Sequence, residues 1–388
     1  MSRLHVAVAC CLLACSQDHG AALLVDGGAP ASADGAVTAP LLHDAGAKAN
    51  ADGALSTPVG TISDASAKSD SGGRDAASAP VATTSPGHYF PATAWMYQRA
   101  DALAVDKDSA TITQWLASNG SFGTGQIRID FSIDVLTADA TTERRVFTPT
   151  DEFYSPDCDA LPFPVPTGGA VEGETGYACT GNGDCHLLVV DRAAARLYEM
   201  WRANIVGSTF QGGCVALWDM NRVYGPEGRG EQCTSADAAG FPIAPLLFSA
   251  DEVASGTIDH AIRFILPNER MRAKTYQHPG THAGGPSGPA DAPIYGSRWR
   301  LKADFDLSKL PSAGARVVAR ALQQYGMALA DGGNIALTAQ NDRFTTHKWD
   351  GLLDTRDLAS LKPTDFEIVQ TGEPTVLDFN CTRTPISN

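Results

Sequence analysis

From residue 88 onward, short segments of apolar, β-branched and aromatic residues recur, and most of them alternate apolar with polar positions. They cover residues 126–135, 145–147, 186–191, 196–201, 214–218, 257–265, 298–303, 334–338 and 366–369. Alternation with a period of two marks a strand with one buried face, so the pattern predicts antiparallel sheets. Residues 192–195 separate two of the segments by a loop of hairpin length. Helical periodicity is rarer and falls between strands. Its clearest stretch runs from Ser312, a suitable N-cap, to Ala330, before Asp331-Gly-Gly333. There Val317, Val318, Ala321, Leu322, Tyr325 and Leu329 form one stripe, with Arg316, Arg320 and Gln324 mostly opposite. Shorter helices are expected at 110–117, 250–254 and 357–361. The sum is a mainly β chain, a β-sandwich or jelly-roll-like domain over 88–388 with helical insertions and one long helix at about 312–330.

The first fifteen residues carry no such pattern. Arg3 precedes an apolar run from Leu4 to Ala14 that ends in Leu12-Leu-Ala-Cys15. About eleven residues are too few to cross a bilayer as a helix, which needs about twenty, so the run reads as a signal-peptide core. Its ending resembles a bacterial lipobox and makes Cys15 the candidate lipidation site; an ordinary cleaved signal is the alternative. Residues 16–87 reduce largely to Ala, Gly, Ser, Asp, Thr and Pro. That composition cannot bury enough apolar surface to offset the entropy of ordering, and it reads as a disordered tether. Its Asp-Gly pairs invite a calcium-repeat reading, but the regularly spaced apolar residues of a β-roll are missing.

Composition narrows the partners. With 29 Lys plus Arg against 44 Asp plus Glu, the chain carries a net charge of −15, which repels nucleic-acid phosphates and anionic lipid headgroups. The only membrane attachment expected is the N-terminal lipid. Six cysteines, Cys158, Cys179, Cys185, Cys214, Cys233 and Cys381, lie in the folded part, and an even number in an exported chain points to disulfides. Short Gly-rich loops favour Cys179 with Cys185 and Cys214 with Cys233, which leaves Cys158 for Cys381. No ligand quartet has zinc-site spacing, so neither a metal nor any other cofactor is expected.

Candidate chemistry rests on carboxylates and histidines. On segment 196–201, Leu197, Glu199 and Trp201 share a face, which sets an acid beside an indole. A carboxyl group against an aromatic wall is desolvated toward a general acid, and Trp201 or Trp218 offers a ring on which a sugar stacks. Asp219 and Asp237 are the candidate second carboxylates, since glycoside cleavage needs an acid and a base or nucleophile across the bond. Glu199 paired with a neighbouring cation, and Asp237 as a turn or capping residue, are the structural alternatives. His186, His260 and His282 form a rival acid–base set. The chain has no Gly-x-Ser-x-Gly elbow, no His-Glu-x-x-His helix and no phosphate-binding Gly-Lys-Ser/Thr loop.

Several strings carry a resemblance: Thr234-Ser-Ala-Asp-Ala-Ala-Gly-Phe-Pro-Ile243, Asp251-Glu-Val253 with Gly256 and Ile258, His260-Ala-Ile-Arg-Phe264, Arg300-Leu-Lys-Ala303 and Tyr325-Gly-Met-Ala-Leu-Ala-Asp331. With segments 186–191 and 197–199, they make residues 88–372 look like a group of secreted bacterial proteins. The resemblance implies one exported module and brings no agreed activity. Two functions follow from the residues: a surface-anchored enzyme acting on a polysaccharide, or a non-catalytic module that binds carbohydrate or cell envelope.

Overall fold

The computed structural model describes residues 87–386. The signal segment, Cys15 and the tether up to Pro86 lie outside the described residues. Two sheets organise the rest. The larger has six strands in the order Ile129–Ile133 (β1), Leu337–Gln340 (β9), Ile262–Leu266 (β6), Met327–Gly332 (β8), Arg298–Leu301 (β7) and Phe366–Val369 (β10). The smaller has four, in the order Cys214–Asp219 (β5), Arg196–Trp201 (β4), Leu187–Asp191 (β3) and Val135–Ala138 (β2). The chain is mainly β, as its periodicity predicts. The sheets are nevertheless mixed rather than antiparallel: β1 with β9, β6 with β8, and β2 with β3 run parallel.

Burial explains why alternation understates the sheets. In β3 all five residues are buried, because the small sheet is covered on both faces. Leu188, Val190, Leu197, Ala216 and Trp218 face the main core, which they share with the large sheet. Leu187, Val189, Tyr198, Met200, Val215 and Leu217 face a second core closed by Phe147, Phe163 and Phe210. A strand buried on both sides reads as a continuous apolar run. In the main core, Phe122, Phe264, Trp299 and Phe366 meet edge to face, with centroids 5.6–6.5 Å apart.

The helices are Ser109–Ser118 (α1), Ala250–Ser255 (α2) and Ala313–Gln324 (α3). Ser312 caps α3 by accepting the Ala315 N–H, as expected. The helix does not continue to Ala330. Gly326 takes φ of +74° and passes so close to β7 that a Cβ there would lie 2.3 Å from the Trp299 carbonyl oxygen. Beyond this break, Met327-Ala-Leu-Ala330 is wholly buried and forms β8, so the helical spacing of Tyr325 and Leu329 is incidental. Residues 357–361 contribute turns and no helix.

Three disulfides close the described chain: Cys158–Cys214, Cys179–Cys185 and Cys233–Cys381. The short pair is the expected one; the other two correct the pairing by loop length. The loop at Asp159 runs beside β5, with its N–H bonded to the Val215 carbonyl and its carboxylate to the Leu217 N–H, and so delivers Cys158 to Cys214. The C-terminal tail pairs Thr382 with Glu231, which brings Cys381 to Cys233 with 4.5 Å between their Cα atoms. Such crosslinks place the folded residues in an oxidising compartment, as an exported chain requires. Among the described residues no helix is long and apolar enough to cross a membrane.

Candidate active site

Arg263 sits on β6 between Ile262 and Phe264, which point into the core, so its own side chain leaves on the opposite face. An ionised guanidinium there must find acceptors. Its Nε donates to Asp237 Oδ2 at 2.6 Å and its Nη2 to Asp331 Oδ2 at 2.9 Å, while Nη1 reaches Thr338 Oγ1 at 3.3 Å. Two carboxylates therefore share the Nε–Nη2 edge of one cation. Asp237 comes from the turn 235–240, which lies across the large sheet and is tied to it by the Ala239 N–H and the Ala330 carbonyl. Asp331 comes from the end of β8.

The same turn is gripped from the small sheet. His186, one residue before β3, places Nε2 3.0 Å from the Ala236 carbonyl and Nδ1 2.6 Å from Glu172 Oε2. The His186 N–H also donates to that carboxylate at 3.2 Å. Ser132 joins a further acid to the group, donating its N–H to Asp130 Oδ1 at 2.9 Å and pointing its hydroxyl at Glu172 Oε1. His282 approaches the turn separately, with Nδ1 3.0 Å from the Ala238 carbonyl and its ring edge-on to Phe379.

The cluster is graded from closed to open. Side-chain exposure is 0 % for Asp237, 4 % for Arg263 and 8 % for His186, but 20 % for Glu172 and 23 % for Asp331. Its electrostatics pull the carboxyl groups apart. Burial, with the charge of Asp331 adding to it against Arg263, pushes Asp237 up to about 7. Burial also raises Asp331, and burial together with Glu172 raises Asp130. Glu172 moves the other way, because the charge and hydrogen bonds of His186 outweigh the burial that opposes its ionisation. Burial likewise opposes the His186 imidazolium, yet Glu172 carries its pKa up to about 9. Neighbouring carboxyl groups whose surroundings push their pKa values in opposite directions are what acid–base chemistry needs.

The remaining sequence candidates serve other ends. Glu199 is fully buried and has no approach from solvent; Oε1 accepts the Ile243 and Ala244 N–H groups at 2.8 Å, and Oε2 accepts the indole N–H of Trp218 at 2.9 Å. Burial raises its pKa to about 8, as the indole-wall reading expects, but the neighbour is Trp218 rather than Trp201. His260 is also fully buried, between Glu252 Oε1 at 3.1 Å and the Ala261 carbonyl at 2.8 Å, and stands apart from the Arg263 group. Asp219 pairs with Arg196 across β4 and β5 at 3.1 Å. Of the expected set, then, Asp237 and His186 join in one cluster, with His282 on the flank of the same turn. Sequence reasoning misses Arg263, Asp331, Glu172 and Asp130. A lone Arg in an apolar strand is the available signal; Asp130 is one polar position of an alternating strand, β1, paired with Thr338 of β9, and Glu172 is placed by a loop, so neither is marked by local pattern.

Trp218 is 1 % exposed and packs edge to face with Phe90 and Tyr224, so it has no free face for a sugar. With Trp95 and Phe241 these rings line a narrow crevice of about 10 Å³, room for no more than a water, and it contains none of the clustered carboxylates. Trp201 is half-buried, donates its indole N–H to Asp184 and carries the Arg202 guanidinium 5.5 Å from its ring centre. Among the described residues, the two groups with metal-ligand spacing are Asp157–Cys233–Cys381 and Glu174–Cys179–Cys185. Both depend on disulfide sulfurs, which are not thiolate ligands. Set against known proteins, the chain matches no family model, no curated protein and no solved structure, so its function has to be read from the cluster itself.

Proposed function

We propose that this is an exported, surface-anchored enzyme that acts on a polysaccharide, as a glycoside hydrolase or lyase, and that its acid–base groups are Glu172, Asp130 and Asp331 rather than Glu199. The observation that carries the reading is the partly open cluster in which His186 favours an ionised Glu172 while burial favours a protonated Asp130. In hydrolysis, Asp130 gives its proton to the leaving glycosidic oxygen as the C–O bond breaks. Glu172 takes a proton from the water that adds to the anomeric carbon. Asp331 offers its exposed edge to sugar hydroxyls, and buried Asp237 and Arg263 set its position. No cofactor enters this chemistry.

A lipid on Cys15 would fix the chain to an outer membrane or cell surface, with the Ala/Gly/Ser/Asp-rich residues 16–87 as spacer. Fatty-acid labelling tests it: label should be lost in Cys15→Ser, and label retained there would refute lipidation.

The second reading, a glycan- or envelope-binding module, needs no acid pair and draws on the half-buried rings of Trp95, Trp201 and Tyr224. A panel of neutral, amino-sugar and uronate polysaccharides separates the two. The enzyme reading expects reducing ends or unsaturated products from at least one glycan. Binding without product release would replace it by the binding module.

A further inference from the structure

Both ring nitrogens of His186 face acceptors. A backbone carbonyl has no proton to give, so Nε2 must carry the hydrogen of the contact with Ala236. Glu172 Oε2, opposite Nδ1, also accepts the His186 N–H at 3.2 Å, a second donor that favours the ionised oxygen. The 2.6 Å contact therefore holds one proton between Nδ1 and Oε2, and the second N–H arriving on the same oxygen favours placing that proton on Nδ1, as an imidazolium beside a carboxylate. The ring is also a strut, joining the loop of Glu172 to the turn of Asp237 from opposite sides. Cys185, the residue before it, is locked to Cys179.

We propose that His186 is a positioning residue: an imidazolium fixed between Glu172 and the Ala236 carbonyl that keeps Glu172 the ionised partner of Asp130, and so decides which of the two acts as base and which as acid. The proposal rests on reading the cluster as an acid–base centre. The charged groups that act on His186 are Glu172 on its loop, Asp184 two residues before it and Arg263 on β6, and Asp331 at the end of β8 also feels its charge. The three acids favour the imidazolium. Arg263 opposes it, but its guanidinium is engaged by Asp237 and Asp331.

The test is carboxyl and imidazole NMR on the disulfide-intact protein, with a pH–rate profile on whichever glycan is cleaved. Wild type should show both His186 ring nitrogens protonated at about pH 7.5, and Glu172 titrating below Asp130. His186→Gln should raise the Glu172 midpoint by about one pH unit or more, and the acid limb of kcat/KM should move with it. His186→Lys, which keeps the charge, should restore part of the shift. A bare Nδ1 at that pH in wild type overturns the proposal without any need for a variant. So does a Glu172 midpoint left unmoved in folded His186→Gln. If the titrations behave as described but no glycan is cleaved, the coupling of His186 to Glu172 stands, while the enzyme reading and the assignment of base and acid drawn from it fail.

Discussion

Glu199 and Asp237 are both buried acids with raised pKa values, yet their surroundings assign them different work. Three N–H donors converge on Glu199, and the acid serves to hold residues 243–244 against the small sheet. In Glu199→Gln the amide NH2 must face either the indole N–H or the two backbone N–H groups, so a donor opposes a donor whichever way it flips. The expected cost is about 1–3 kcal/mol, seen as a lower Tm, with turnover by the folded fraction unchanged. Turnover abolished at an unchanged Tm would return Glu199 to the chemistry. Asp237 is recognisable from its Ser-Ala-Asp-Ala-Ala-Gly setting, whereas its partner Arg263 looks like one more position in an alternating strand. A charged residue between core positions has to be matched by buried acids, and that demand is legible in the amino-acid pattern alone.

At the scale of elements, the strands of the small sheet are the most readable. Segments 186–191, 196–201 and 214–218 lie within a residue of β3, β4 and β5, and the loop 192–195 joins the first two as a hairpin. What local pattern does not show is where the chain returns from a distance. β8 hides in a helical stripe because a strand buried on both faces has no periodicity of its own, and loop length mispairs two disulfides because the tail and the Asp159 loop are placed by tertiary pairing. The disulfides should accordingly differ in effect. Cys233–Cys381 spans 148 residues and Cys179–Cys185 spans 6, so loop-closure entropy alone assigns them about 5 and about 2 kcal/mol. Replacing the first pair by serine should lower Tm more, while replacing the second should weaken turnover more, since it braces His186. Calorimetry and glycan assays on the two double variants check this, and a reversed order would contradict it.

For the whole molecule, the buried titratable groups set how stability responds to pH. The pKa values of Glu199, Asp237 and His186 are raised in the folded chain to about 8, about 7 and about 9. A raised folded-state pKa contributes stability that is complete below the unfolded value and lost as pH climbs through the folded one. For the two acids that loss begins above about pH 4 and for His186 above about 6.5, and all three continue toward the folded values. Glu172 is depressed, so its contribution is present above its unfolded value and fades as pH falls. Thermal unfolding followed across pH should therefore show Tm declining from mildly acidic pH toward pH 9, with a separate loss in strong acid. A Tm that rises steadily to pH 9 would contradict the assigned charges. Whether the cluster works on a glycan is settled most directly by turnover and Tm measured together for Glu172→Gln and Asp331→Asn beside Glu199→Gln. The account predicts a loss of about a hundredfold or more in kcat/KM of the folded fraction for the first two, beyond what their loss of stability explains, and a lower Tm with intact turnover for the third. Full activity in Glu172→Gln and Asp331→Asn, or no glycan cleaved by the wild type, would contradict it.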